Sequence, residues 1–409
     1  MTVFGSFSFF FILAAFLIPT VILGLQGKSN KTYNMIMNLL FLIIIFSNVS
    51  NGNVNKTIYA AICLVIFTIW QMMIIKGYIA YRKRENKTST FYIVVILSIL
   101  PLVISKSMPF IDKHLSFIGF LGISYLTFKG VQIVMETRDG LIKEQLPLDR
   151  LIYFILYFPA VSSGPIDRYR RFDKDISTVP TSEQYQEMLY IGINRIFQGF
   201  LYKFIIGYLI NNELLLKLND ISWISTFQRE IIYMYGYSLY LFFDFAGYSA
   251  FAIGVSYIMG VRTPENFNKP FISRNIKDFW NRWHMTLSFW FRDYVYMRLV
   301  FWITKKKWIK DRIAISNIGY VVLFMLMGIW HVAGGAALQY IVYGLYHALI
   351  MVLYNYFEKW NKKHKKWPQK NKFVHVFSIF LTFNFICFGF YIFSGHLTNY
   401  WQSGNFLHS

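Results

Sequence analysis

The chain has 409 residues, 56% of them hydrophobic and 20% aromatic, with a formal net charge of +21. Its apolar residues fall into long runs, which excludes both a soluble globular fold and a disordered chain. The basic excess sits in short loops between the runs, as orientation in a bilayer and attraction to anionic membrane lipids require. With no soluble basic domain to carry it, that charge does not point to nucleic acid.

In chain order, residues 4–25 carry no charge. They lack a basic leader and a small-residue cleavage site, and are read as a retained first helix. Residues 33–46, 58–75, 313–329, 338–357 and 373–393 are nearly as clean. A helix needs about 20 such residues to cross the hydrocarbon core. Together with the less clean runs this predicts an all-α polytopic membrane protein with about ten to twelve spanning helices.

The densest early basic cluster, Tyr81-Arg-Lys-Arg-Glu-Asn-Lys87, is expected to face the cytoplasm. Residues 48–56 then face outside, 26–31 inside, and the N-terminus outside. Lys305-Lys-Lys-Trp-Ile-Lys310 and residues 359–372 are expected to be cytoplasmic too. The run 313–329 leaves from the first of these clusters and 338–357 returns to the second. His331 therefore lies at their junction, away from the cytoplasm, beside a short turn Val332-Ala-Gly-Gly-Ala-Ala337 recessed in protein. The middle is irregular. Leu156-Tyr-Phe-Pro159 ends an apolar run too short to span, and a segment rich in Ser, Gly, Pro and Arg follows up to Phe172. Re-entrant or half-length helices fit such sequence, because non-helical backbone at membrane depth survives only in protein or beside water. No internal repeat divides the chain, which is read as a single domain over 1–409.

Residues 274–298 interleave charge and imidazole with large aromatics, as in Phe279-Trp-Asn-Arg-Trp-His284. Ionisable groups at bilayer depth are costly and mark a cavity or a chemical path. As one continuous helix, His284 shares a face with Trp280, Asn281, Leu287, Ser288 and Phe291. Asp278 and Arg282 are spaced to pair, and Arg292 lies four beyond Ser288. The alternative is an interfacial aromatic belt. His331, preceded by Trp330, closes an almost uncharged run. A neutral imidazole in apolar surroundings accepts a proton near neutral pH, so His331 is the candidate general base. The bland alternative is a hydrogen bond to a carbonyl across helices. His347, mid-helix, reads as a packed and hydrogen-bonded residue. Asp244 is an intramembrane acid, either functional or neutralising an arginine of 274–298. Cys63 and Cys387 sit alone in apolar runs, so neither a disulfide nor a thiolate metal site is expected. No P-loop, dinucleotide fingerprint, HExxH or G-x-S-x-G motif occurs. A base without an enzyme nucleophile suits direct transfer of an activated acyl group to a hydroxyl.

The 279–297 block, Trp330-His331, Asp244-Phe-Ala-Gly-Tyr248, Gly122-Ile-Ser-Tyr-Leu-Thr-Phe128 and Ser163-Gly-Pro-Ile-Asp-Arg-Tyr-Arg-Arg-Phe172 resemble the membrane-bound O-acyltransferases (MBOAT). The likeness extends over nearly the whole chain. Members that O-acetylate polysaccharides usually place an acid where this chain has Ala250, and a Gly-Gly where Arg298-Leu-Val-Phe301 follows. Both departures favour the branch that puts D-alanine on teichoic acids. The resemblance implies a ring of membrane helices and short re-entrant helices around a central tunnel. It makes His331 the essential histidine and His284 a second active-site histidine. Trp280, Asn281, Trp283, Ser288, Arg292, Trp330 and Asp244 become candidates for the tunnel wall. It implies no bound metal or covalent cofactor, and a donor that is the phosphopantetheine thioester of an acidic D-alanyl carrier protein in the cytoplasm. On the outer face of the plasma membrane it implies teichoic acid and a membrane-anchored or extracellular acceptor protein. A transporter using the histidines and Asp244 as a proton relay, or a scaffold joining carrier and acceptor, are the rival readings.

Overall fold

The computed structural model describes residues 4–50, 52–111, 119–332, 338–368 and 370–398. Its elements are helical, and the long ones follow the apolar runs. Where water is scarce, a helix satisfies every backbone group within its own segment. Seven helices among the described residues are long and apolar enough to cross a membrane. They are α1 (Phe7–Leu25), α3 (Val54–Arg84), α4 (Thr88–Ile111), α9 (Thr226–Ile258), α13 (Arg312–His331), α14 (Leu338–His364) and α15 (Lys372–Phe393). α2 (Lys31–Val49) is a shorter apolar companion. The count falls below ten to twelve because the less clean runs fold as short helices instead. Capping fixes the ends. The side chains of Ser6, Asn53, Asp311 and Asn371 accept backbone N–H groups at the starts of α1, α3, α13 and α15, and such caps contribute about 1 kcal/mol each. α3 ends on Arg82, Lys83 and Arg84, where cations meet the negative end of the helix dipole.

The chain forms two compact units. Residues 1–201 with 247–265 make the first, and 202–246 with 266–409 the second. The first contains α5 (Ile123–Arg138), α6 (Leu148–Ile155), α7 (Tyr169–Ser177) and α8 (Ser182–Gly199). α6 is the expected half-length helix, and its C-terminal carbonyls need donors. Lys129, buried on α5, donates to the carbonyls of Phe154 (3.1 Å) and Ile155 (3.3 Å). Asn38 of α2 donates to Leu156 O (3.0 Å) and accepts from Phe158 N (2.7 Å). The interruption is therefore closed by two buried polar side chains from other helices. α8 and the end of α9 meet through Gly192 and Gly254, where a Cβ on either would lie within 2.8 Å of the other's carbonyl oxygen.

The stretch after α8 winds as π-helix over Phe200–Gly207 and Leu209–Leu215, and from Tyr202 onward it belongs to the second unit. The 274–298 region is not one helix. α10 (Ile276–Trp280) ends, residues 281–284 turn, and α11 (Met285–Phe291) begins afresh. A π-turn at Arg292–Tyr296 then leads into α12 (Met297–Lys306). The unbroken face expected for His284, Trp280 and Asn281 is thus corrected. The break falls at His284 itself, whose backbone is left-handed (φ 41°), a conformation no L-residue adopts within a helix.

α13 and α14 pack backbone to backbone. A Cβ on Gly328 would sit 2.5 Å from Tyr340 O, and one on Gly344 would sit 2.6 Å from Phe324 O. This contact sets the height of His331, the last residue of α13. Of the expected turn 332–337, residues 333–337 lie outside the described residues. Gly344→Leu is expected to force the two helices apart and lower unfolding stability by about 1–3 kcal/mol. The neighbouring Leu345→Ala, on the exposed face, should change it far less; thermal unfolding in detergent compares the two.

Candidate active site

The site grows from the break at His284. For the chain to turn there, the freed backbone groups need partners. Met285 N donates to Asn266 O (2.8 Å), and Asn268 N to Arg282 O (2.9 Å). The side chain of Asn266, fully buried, works on the same turn. Its Oδ1 accepts from Thr286 Oγ1 (2.6 Å) and lies 3.3 Å from His284 Nδ1. An amide oxygen can only accept, so Nδ1 carries the proton and the tautomer makes Nε2 an acceptor. Phe245 stands edge-on to the imidazole, with centroids 4.7 Å apart.

Burial first, and the nearby His331 second, push the His284 imidazole far below its usual value, to about 3. His284 is therefore neutral at physiological pH. The influence of His331 also shows that two histidines 47 positions apart come near each other within one unit. His331 is half-buried among rings, with centroids 4.5 Å from Trp330, 4.9 Å from Phe393, 5.9 Å from Tyr340 and 6.4 Å from Tyr343.

The other tunnel candidates separate. Trp280, Asn281, Ser288 and Arg292 line one cavity of about 270 Å³, with Lys277 and Tyr296. Trp280 is buried, and its Nε1 has no hydrogen-bond partner among the described residues. Ser288 Oγ donates to Trp283 O (3.0 Å). Arg292 pairs with Asp293 (2.9 Å) and lies over the Phe289 ring. Asp278 and Arg282 pair as expected, at 2.8 Å. Trp283 is packed among Phe242, Phe267, Phe279 and Phe390.

Two readings are corrected. Asp244 pairs with Lys203, not with an arginine of 274–298. The π-helical winding of 200–207 carries Lys203, and that segment runs against α9 closely enough that a Cβ on Gly207 would touch the Asp244 backbone. His347 is packed but not hydrogen-bonded. It is wholly buried between Trp280, Phe324 and Tyr343, and neither ring nitrogen has a partner among the described residues. Asn266 is the site residue that sequence reasoning passes over, since an asparagine in a loop 18 positions upstream carries no motif.

A buried neutral imidazole, a second one less enclosed, and a cavity edged by Asn, Ser and Arg suit acyl transfer better than metal or nucleotide chemistry. A family model described as MBOAT, membrane-bound O-acyltransferase family, matches residues 134–394, which include both histidines. The chain belongs to this O-acyltransferase family. Teichoic acid D-alanyltransferase of Bacillus subtilis (strain 168) is 60% identical over 402 residues, covering 97% of this chain and 98% of that one. Teichoic acid D-alanyltransferase of Lacticaseibacillus rhamnosus is 43% identical over 404 residues, 96% and 97% of the two chains. Probable alginate O-acetylase AlgI of Pseudomonas fluorescens is 29% identical over 350 residues, 83% of this chain and 64% of that one.

The depressed His284 value has a consequence for acid stability. Folded His284 stays neutral down to about 3, whereas the unfolded residue takes up a proton near 6.5. The unfolded state binds more protons in that window, so stability is lost as pH falls below about 6.5. His284→Gln, neutral at every pH, should show a shallower loss of thermal stability between about pH 6.5 and 4 than the parent protein.

Proposed function

We propose that the protein transfers D-alanine from the phosphopantetheine thioester of a carrier protein to a hydroxyl of teichoic acid, or of an acceptor protein that serves it. The observation that carries this reading is the near-full-length likeness to proteins named teichoic acid D-alanyltransferase. A carrier in the cytoplasm, an acceptor beyond the plasma membrane and an external N-terminus belong to the same proposal. So does a helix ring around a tunnel, with the whole chain acting as one domain. The basic loops suit an acidic carrier, because opposite charge speeds and orients encounter.

In this mechanism His331 takes the proton of the acceptor hydroxyl as its oxygen attacks the thioester carbonyl. The carbon–sulfur bond breaks, an oxygen ester forms, and the departing sulfur takes up the proton from the imidazolium. His284 plays a positioning part. Asn266 Oδ1, 3.3 Å from Nδ1, holds the ring in place, and the ring orients the donor thioester. The Trp280–Arg292 cavity, whose lining includes neither histidine, is the proposed entry for the pantetheine arm. A proton-relay transporter is less well supported, since Asp244 is committed to Lys203.

His331→Ala should lower ester formation by about 10²–10⁴-fold, with the protein still inserted and folded. The assay is reconstituted protein given D-alanyl carrier thioester on one side and teichoic acid on the other. Passage of free D-alanine without ester would overturn the proposal in favour of transport. Unchanged ester formation by His331→Ala would overturn the assignment of the base.

A further inference from the structure

Away from this site, α14 and α15 part to leave a groove of about 290 Å³. Ile350, Leu353 and Phe357 form one wall and Leu381 and Phe385 the other. Leu353 is 57% and Phe385 49% exposed, so the walls open sideways. From Ile350 to Phe357 the groove runs about 10 Å along α14. Of the polar groups that line it, two hydroxyls and an indole are bonded within the protein. Ser378 Oγ accepts from Trp367 Nε1 (2.8 Å) and donates to Val374 O, while Thr382 Oγ1 donates to Ser378 O. With walls that are mostly aliphatic and aromatic, such an interior fits an alkyl chain.

One end of the groove is different. Arg274 lines it there, half-exposed, with its guanidinium 3.9 Å from Asp278 Oδ2, an oxygen that already accepts from the Arg274 backbone N–H at 3.1 Å while Oδ1 is engaged by Arg282 at 2.8 Å. The same end of the helix pair joins a connection with seven lysines and no acid between 359 and 372. An alkyl slot closed by a weakly engaged guanidinium and a lysine-rich loop matches one molecule that every membrane supplies. We infer that the groove binds one anionic glycerophospholipid. An acyl chain lies between α14 and α15, and the phosphate lies at Arg274. Arg274 directly precedes Asn275, the cap of α10, so the headgroup bears on the start of the segment that leads to His284.

Native mass spectrometry of the full chain in neutral detergent tests this, with phosphatidylglycerol or phosphatidylcholine added. The parent protein should retain phosphatidylglycerol at least about fivefold better, and Arg274→Gln should lose about fivefold of that retention. Leu353→Trp, which fills the slot from an exposed position, should weaken retention of both lipids. Thermal unfolding checks that each variant is folded. Soluble glycerol phosphate should not displace the lipid; displacement would mark a phosphate site and overturn the inference. Retention unchanged in both variants, or equal retention of the two lipids by the parent, would also overturn it. None of these outcomes depends on acyl transfer.

Discussion

A helix that stops within apolar surroundings exposes backbone groups that hydrocarbon cannot satisfy. This chain answers its interruptions with buried polar side chains brought from far along the sequence. Lys129 and Asn38 close the end of α6. Asn266 closes the turn at His284 with its backbone and its amide together. In the second case the same group that permits the break also fixes the tautomer of the histidine placed there. Backbone satisfaction and chemistry are thus one arrangement, and the site could not be moved to an unbroken helix without losing both.

The long helices were legible because one property, apolarity over a sufficient length, determines them. α13, α14 and α15 begin and end within a few residues of their apolar runs except where basic residues extend the last turns, as at Lys362 and Lys363 of α14. The half-length α6 was legible from Pro159 and the short run before it. The break at His284 was not. No Gly or Pro marks it, the aromatic pattern continues across it, and a left-handed backbone at histidine is set by tertiary bonds to Asn266 and Asn268. Local periodicity favoured a continuous helix, and long-range hydrogen bonds prevailed.

Partner choice was the other illegible layer. Asp244 and Lys203 lie 41 positions apart on segments whose contact depends on π-helical winding, which shifts the side chains of 200–207 away from their α-helical register. His347 was rightly read as packed, yet no pattern signals that both its nitrogens lack hydrogen-bond partners. The pairing of His284 with His331 came from resemblance, not from spacing. Geometry adds that the two are unequal, one enclosed and tautomer-locked, the other bordered by rings and more open.

α3 has a mechanical consequence. Its 31 residues make a rod of about 46 Å, against a hydrocarbon thickness of about 30 Å. Even at the steepest inclinations usual for spanning helices, about 40°, the rod is longer than the oily slab it crosses. The charged ends of the helix, Lys56 at one and Arg82, Lys83 and Arg84 at the other, can therefore leave the hydrocarbon without the helix bending. Lys83 there is paired with Glu144 at 2.8 Å, so part of the charge at that end is neutralised within the protein itself.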